Sequence, residues 1–474
     1  MHCYKLCGYN IVLDIASGSI HNVDDLAFDA ICLYNEYPDK ATLAKVLNEK
    51  HPKEKAAEIH SLLQDLENLI NQGKLFSPDN YVIAGYDPQS PEPTAAGQNI
   101  IDNPIPRPTS LKALCLNISH SCNMYCTYCF ANYADSKIDE NSLMSLETGK
   151  RAIDFLLENC GDIKTLDVDF FGGEPLLNWN TVKEIVLYAR SLEEKSGKNI
   201  RFTLTTNGLL INDDVINFTN NHMHNVVLSL DGRPDIHDEN RKLLDSHKSC
   251  YAEILPKFKE MVDARHGKGY YIRGTYTRGN LDFINDILHI ADLGFKEISL
   301  EPVVSMPDSK YELKDDDLPA IFAQYEALAV EMLRREALSA RFSFYHFNLD
   351  LKHGPCVHKR IAGCGVATSY LAVTPTGELY PCHQFVGDEK FKMGDIWQGV
   401  TNKKLHNDFS SCSIYSHTEC RDCWARFYCS GGCAANAHYA GNGINGIFEL
   451  GCEMFKKRIE CAIMMQISRH KTTP

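Results

Sequence analysis

ALCLNISHSCNMYCTYC, residues 113–129, is the stretch on which the reading of this chain turns. Its first seven residues, Ala113–Ser119, form a short, largely apolar run of the kind that makes a buried strand. Three cysteines follow within eight residues: Cys122, Cys126 and Cys129. Three thiolates so close together can wrap one metal centre. A 4Fe–4S cluster has four irons, so three protein ligands leave one iron open to a small molecule. A structural zinc site wants a fourth protein ligand, for which His120 is nearby. The spacing, at the end of a strand, favours iron–sulfur over zinc.

Outward from this loop the chain alternates strand and helix. Strand-like runs are Leu166–Phe171, Ile200–Thr206, Val226–Leu230, Tyr270–Thr277 and Glu297–Val303. Helical patterns lie between them at Glu147–Asn159, Trp179–Lys195, Asp213–Asn221, Tyr251–Arg265 and Phe283–Leu293, and a further one at Asp315–Glu336. With Ala113–Ser119, six repeats imply an α/β fold, a parallel sheet curved into a partial (β/α)6 barrel. Ligands on such sheets sit at the carboxyl ends of the strands. The chemistry-bearing residues gather there. Gly172-Gly173-Glu174-Pro175 ends the second strand, Thr205, Thr206 and Asn207 end the third, and Ser229 and Asp231 end the fourth. Arg273 lies on the fifth.

CX3CX2C after the first strand, GGEP after the second and TTNG after the third resemble the radical S-adenosylmethionine (SAM) superfamily. The resemblance implies that the open iron chelates SAM and that Tyr128 lies near the adenine. It also implies that Gly172, Gly173 and Glu174 contact the SAM amino group, and that Thr205, Thr206, Asn207, Ser229 and Asp231 surround the ribose. Arg273 is a candidate for the SAM carboxylate, because arginine suits bidentate carboxylate recognition.

The chain holds 19 cysteines. In a reducing compartment such a number points to metal or redox chemistry. Downstream of the barrel lie Cys364, Cys382, then Cys420, Cys423, Cys429 and Cys433 spaced CX2CX5CX3C, then Cys452. This pattern resembles the SPASM extension of peptide-modifying radical SAM enzymes. By that resemblance Cys420, Cys423, Cys429 and Cys452 hold one auxiliary cluster and Cys364, Cys382 and Cys433 another, giving three 4Fe–4S clusters and SAM as cofactors. Cys356 either supplies the missing eighth thiolate or leaves an iron open to a substrate sulfur. Cys3, Cys7, Cys32, Cys115, Cys160, Cys250, Cys412 and Cys461 read as plain thiols.

Residues 1–76 read as a winged-helix-like unit: a strand-like Tyr4–Asp14, a turn at Ser17-Gly18, a return at Ser19–Val23, a helix capped by Asp24 or Asp25, and helices over Thr42–Lys50 and Glu54–Gln72. Proline-rich residues 77–112 read as a linker. The barrel occupies 113–340 and the SPASM-type region 341–474. Over nearly the full length, stretches such as YKLCGYNIVLDIASGSIHNVDD, FFGGEPLLNW and CRDCWARFYCSGGCAAN look like the SCIFF (six-cysteine peptide) maturases. That resemblance implies a short cysteine-rich precursor peptide as partner, bound through its leader at the N-terminal unit. It also implies a flavodoxin- or ferredoxin-type electron donor, and a cysteine-to-threonine thioether as product. A sulfatase-maturase-like enzyme and a zinc-binding scaffold are the other readings. A net charge of −14 argues against nucleic acid as a partner. No run of 18 apolar residues and no secretory signal is visible, so a cytoplasmic protein without a membrane anchor is expected.

Overall fold

The computed structural model describes every residue except 38, 80–109, 130–141, 245–247, 305–308, 352–356 and 473–474. At the N-terminus, β1 (His2–Leu6), β2 (Tyr9–Leu13) and β3 (Ile20–Val23) form an antiparallel sheet in that order. The continuous strand expected over Tyr4–Asp14 is instead broken by a tight reversal. Cys7 (φ 48°) and Gly8 (φ 80°) both take the left-handed conformation, which two-residue hairpin turns require. A cysteine in the first turn position hides that signal in the sequence. Then come α1 (Asp25–Leu33), α2 (Lys40–Lys50) and α3 (Ala56–Asn71). The side chain of Asp24 caps α1 through Ala27 N, and Asp39 caps α2 through Thr42 N. Val12, Ile31, Leu43, Leu47, Ile59, Leu63 and Leu66 give this unit a core of its own.

The main sheet begins with β4 (Ala113–Ser119). After it come β5 (Met124–Cys126), α4 (Leu146–Asn159), β6 (Thr165–Gly172), α5 (Trp179–Ser196), β7 (Asn199–Thr206), α6 (Asp213–His222) and β8 (Asn225–Ser229). The chain continues through α7 (Pro234–Asn240), β9 (Arg241–Leu243), α8 (Cys250–Ala264), β10 (Tyr270–Tyr276), α9 (Ile284–Asp292), β11 (Glu297–Pro302) and α10 (Leu318–Ala337). Strands β4, β6, β7, β8, β10 and β11 lie side by side in that order, all parallel. Burial alternates along each of β6, β7, β8 and β10. Val168, Phe170, Phe202, Leu204, Val226 and Leu228 are fully buried, while Asp167, Asp169, Thr203, Thr205 and Ser229 occupy the other face.

The sheet does not end with the barrel. β12 (Ser343–Phe344) extends it beyond β11. At the other edge, past α11 (Val357–Ala362), β13 (Tyr370–Val373) pairs parallel with β4; β14 (Glu378–Tyr380), β15 (Gly394–Asp395) and β16 (Gly399–Val400) follow antiparallel. Among the described residues eleven strands therefore form one sheet. Short helices α12 (Lys403–Ser411), α13 (Thr418–Arg421), α14 (Arg426–Cys429) and α15 (Ala434–Ala440) carry the cysteine-rich region, and α16 (Glu449–Thr472) packs along α10. Among the described residues no helix is long and apolar enough to cross a membrane.

Candidate active site at the strand ends

The loop of three cysteines is held by a miniature ladder. β5 pairs antiparallel with β9, setting Tyr125 opposite Lys242 and Cys126 opposite Arg241. Thr127 N donates to Asn240 O at 2.9 Å. Beneath the loop sits Asp231, fully buried. Its Oδ2 accepts from Tyr128 Oη at 2.5 Å and Arg241 Nε at 3.0 Å; its Oδ1 accepts from Arg241 Nη2 at 3.1 Å and Thr275 N at 3.0 Å. Burial opposes the charge on Asp231, but the Arg241 guanidinium beside it holds its carboxyl below the ordinary range. The Arg241 guanidinium also lies 5.6 Å from the centre of the Tyr128 ring. His237 Nδ1 accepts from Asp231 N at 3.3 Å, and burial pushes its imidazole down to about 4.

Burial pushes Cys122 up to about 11, with the charges of Glu174 and Cys129 added, and Cys126 up to about 12, with those of Cys129 and Cys122 added against the opposing Arg241. Each of the two feels Cys129, so the three sulfurs share one neighbourhood. Iron reverses that logic, because metal binding favours the thiolate.

Gly172 and Gly173 let β6 end hard against this loop. Gly172 has φ 128°, and a Cβ there would stand 2.2 Å from Ser119 O; one on Gly173 would stand 2.1 Å from Ser121 O. Gly173 N donates to Ser119 O at 2.7 Å and Glu174 N to Ser121 O at 2.9 Å. The Glu174 carboxylate is buried and accepts from Thr206 Oγ1 (2.7 Å), Asn207 N (2.8 Å) and Leu176 N (3.0 Å). Burial outweighs these bonds and pushes its carboxyl up to about 7. Asn207 Nδ2 donates to Asn123 Oδ1 at 2.8 Å and stands 3.7 Å from Cys122 Sγ, tying the end of β7 to the cysteine loop.

Strand alternation separates residues that the sequence placed together. Thr205 and Ser229 face away from the helices, whereas Thr206 is buried under Glu174. Arg273 is exposed on the same face as Ser229, its partner in the β8–β10 register. Its charge reaches Glu301, His346 and His383. Arg241, His237, Glu301, His346 and Asp169 (its carboxyl pushed up to about 6 by burial) were not singled out from the sequence. The stretch RPDIHDENR, residues 233–241, was the available signal for Arg241 and His237: a dense run of charged groups directly after a strand end.

Farther along, Cys420 and Cys429 both lie in the field of Cys423 and Cys452, and Cys429 also in that of Cys420. Cys382 feels Cys433 and Cys364, and Cys433 feels Cys364. The thiols thus fall into the groups Cys420–Cys423–Cys429–Cys452 and Cys364–Cys382–Cys433. Cys356 lies outside the described residues. Among the described residues no three histidine, cysteine or acidic side chains close on a single point as one metal ion needs. A four-iron cluster makes no such demand, since each thiolate meets a separate iron.

Residues 116–268 match the family model of the radical SAM superfamily. The chain carries a radical SAM domain. It is similar to the radical SAM cyclopropyl synthase TigE of Paramaledivibacter caminithermalis, at 22% identity over 73% of this chain and 72% of that protein. It is also similar to a cysteine-type anaerobic sulfatase-maturating enzyme of Clostridium novyi, at 26% identity over 74% of this chain and 95% of that one. The fold is shared with native anSMEcpe bound to AdoMet and the Cp18Cys peptide: TM-score 0.61, 23% identity, covering 77% of this chain and 100% of that structure. Radical SAM domains bind a 4Fe–4S cluster and SAM. The three neighbouring thiols of Cys122, Cys126 and Cys129, and a glycine cradle that a single Cβ would fill, fit both.

Proposed function

We propose that this chain is a peptide-modifying radical SAM maturase of the SPASM type that forms a thioether between a cysteine sulfur and a carbon of threonine or a similar residue in a short cysteine-rich peptide. The single observation that carries it is the convergence, at adjacent strand ends, of the Cys122–Cys126–Cys129 loop with Gly172, Gly173 and Glu174. Similarity to a cyclopropyl synthase and to sulfatase-maturating enzymes supports the broader class. Three 4Fe–4S clusters are proposed: one on the barrel loop, and two on the downstream thiol groups, with Cys356 the candidate eighth ligand.

When bound, the barrel cluster and SAM supply a 5′-deoxyadenosyl radical able to remove hydrogen from carbon. The protein's own residues do the rest. Asn207 and the β5–β9 ladder fix the loop. Glu174, ionised, receives the SAM amino group, while Thr206 contributes through Glu174 and Asp231 through Tyr128. Thr205 and Ser229 face the ribose, and Arg273 the carboxylate. The N-terminal unit takes the peptide leader as an added strand, with backbone hydrogen bonds giving affinity. Each crosslink removes two hydrogens from the peptide, one as an atom from carbon and one as a proton from the thiol; the thiol groups Cys364–Cys382–Cys433 and Cys420–Cys423–Cys429–Cys452 would hold clusters able to take up the electron left over. A flavodoxin- or ferredoxin-type donor would supply the electron that SAM cleavage consumes, and the protein works in the cytoplasm.

Anaerobic incubation with SAM, dithionite and a candidate cysteine-rich peptide, followed by tandem mass spectrometry, tests this reading. The expected product is lighter by two hydrogens per crosslink, with sulfur bonded to carbon. The Cys122→Ala/Cys126→Ala/Cys129→Ala protein is expected to lose about four of roughly twelve irons and all 5′-deoxyadenosine formation. Retained SAM cleavage in that protein sinks the assignment.

A further inference from the structure

Four residues, His2, Tyr4 and Ile15 of the N-terminal unit and Asp79 just after it, reach the loop carrying Cys420, Cys423 and Cys429 and the helix carrying Cys452. The His2 ring lies flat on Trp424, centroids 3.7 Å apart and planes within 4°, and Trp424 adjoins Cys423. His2 Nε2 stands 3.0 Å from Glu460 Oε1, and Tyr4 Oη donates to Glu460 O at 3.2 Å, on the same α16 as Cys452. Ile15 packs with Ile361, Ile414, Tyr415, Phe427 and Cys420 in a small separate cluster. Asp79 accepts from Arg426 Nη2 at 2.9 Å and from Tyr415 Oη at 3.3 Å.

Arg426 lies between Cys423 and Cys429, and its Nη1 donates to Cys423 O at 3.2 Å. Only 10% of its side chain and 14% of that of Asp79 is exposed, so the pair is close to buried. Removing the carboxylate leaves a guanidinium in the cysteine loop with its charge uncompensated. The seam is not continuous apolar packing: a cleft of ≈ 220 Å³ remains in it, lined by Asp14, Ile15, Phe76, Asp79 and Arg426 among others. Discrete contacts therefore set the loop's position.

We infer that His2, Ile15 and Asp79 are positioning residues for the second auxiliary site: the N-terminal unit holds the thiols of Cys420, Cys423, Cys429 and Cys452 in the arrangement that takes an iron–sulfur cluster. The inference rests on the three-cluster reading above. It gives residues 1–79 a part in cluster retention that is independent of peptide recognition.

The test uses the full chain, reconstituted anaerobically with iron and sulfide, in its parent, Asp79→Asn, His2→Ala and His2→Phe forms. Iron release to bathophenanthroline disulfonate is followed with time, and the reduced proteins are examined by electron paramagnetic resonance. Asp79→Asn and His2→Ala are expected to release about a third of their iron roughly tenfold faster than the parent, with a changed signal from one auxiliary cluster and the barrel-cluster signal intact. His2→Phe keeps a ring on Trp424 and is expected to restore much of the retention. Parent-like release from both Asp79→Asn and His2→Ala overturns the inference. So does equally accelerated release from all sites, which means that the seam supports the whole chain rather than this loop. Failure of the underlying reading looks different: the parent itself then holds only about four irons.

Discussion

Glu174 is a buried carboxylate with three protein donors aimed at it, yet burial still pushes its carboxyl up to about 7. It is thus poised to be neutral in slightly acidic solution and charged above neutrality. The proposed contact accepts an N–H from the SAM amino group, which the charged carboxylate does best, so SAM affinity is expected to rise as pH increases through about 7. Glu174→Gln removes both the charge and one acceptor. Its amide NH2 must face Thr206 Oγ1 or the N–H of Asn207, leaving a buried donor unmet at a cost of about 1–3 kcal/mol. About 10- to 100-fold weaker SAM binding is expected, flat across that pH range, with iron content unchanged. Anaerobic equilibrium dialysis with labelled SAM at pH 6, 7 and 8 measures this; parent-like pH dependence in the variant contradicts it. The residues legible in the sequence were those fixed to a motif at a strand end. Arg241 and His237 were not, because what defines them is a through-space network on Asp231. Thr206 was legible as present but not as placed, since strand alternation turns it away from Thr205 and under Glu174.

At the scale of elements, the site depends on how β4 and β6 end against each other. Gly173 is where the two backbones touch: a Cβ would meet Ser121 O at 2.1 Å, Ser121 C at 2.5 Å and His120 O at 2.9 Å. These are backbone atoms, one residue ahead of Cys122, so relief must come from moving the cysteine loop. Gly173→Ala is expected to lose about four irons and nearly all 5′-deoxyadenosine formation while keeping the two auxiliary signals. Iron analysis with electron paramagnetic resonance checks this; a full iron complement with normal cleavage shows that the loop tolerates the shift. The six barrel strands were legible to within a residue or two: alternation marks β6, β7, β8 and β10, and a short apolar run marks β4. The β5–β9 ladder was not: strands of three residues are too short for a period to show. The hairpin at Cys7-Gly8 escaped because only one of its two left-handed positions is a glycine.

At the scale of the molecule, the cysteine-rich region is continuous with the barrel sheet through β13 on β4, a pairing of Tyr370 with Ala113 that no local pattern announces. The N-terminal unit has its own core, yet Leu6, Ile11 and Leu13 are buried in the main one, and its seam lies on the auxiliary cysteines. Removal of residues 1–76 therefore has two expected consequences with different signatures. Loss of the leader-binding surface slows crosslinking at sub-saturating peptide, a defect that saturating peptide relieves. Loss of His2 and Ile15 from the seam loosens the auxiliary loop, a defect that no peptide concentration relieves. Cleavage of SAM without peptide stays measurable in both cases, because Cys122, Cys126, Cys129 and Glu174 are held by β5, β9 and β7 rather than by the N-terminal unit. Crosslinking rates across peptide concentration, read beside 5′-deoxyadenosine formation and circular dichroism of the truncated chain, separate the two. A truncated chain that crosslinks full-length peptide at the parent rate below saturation contradicts leader recognition by this unit. One that reaches the parent rate only at saturation, with all its iron retained, supports leader recognition and leaves the seam without a part in cluster retention.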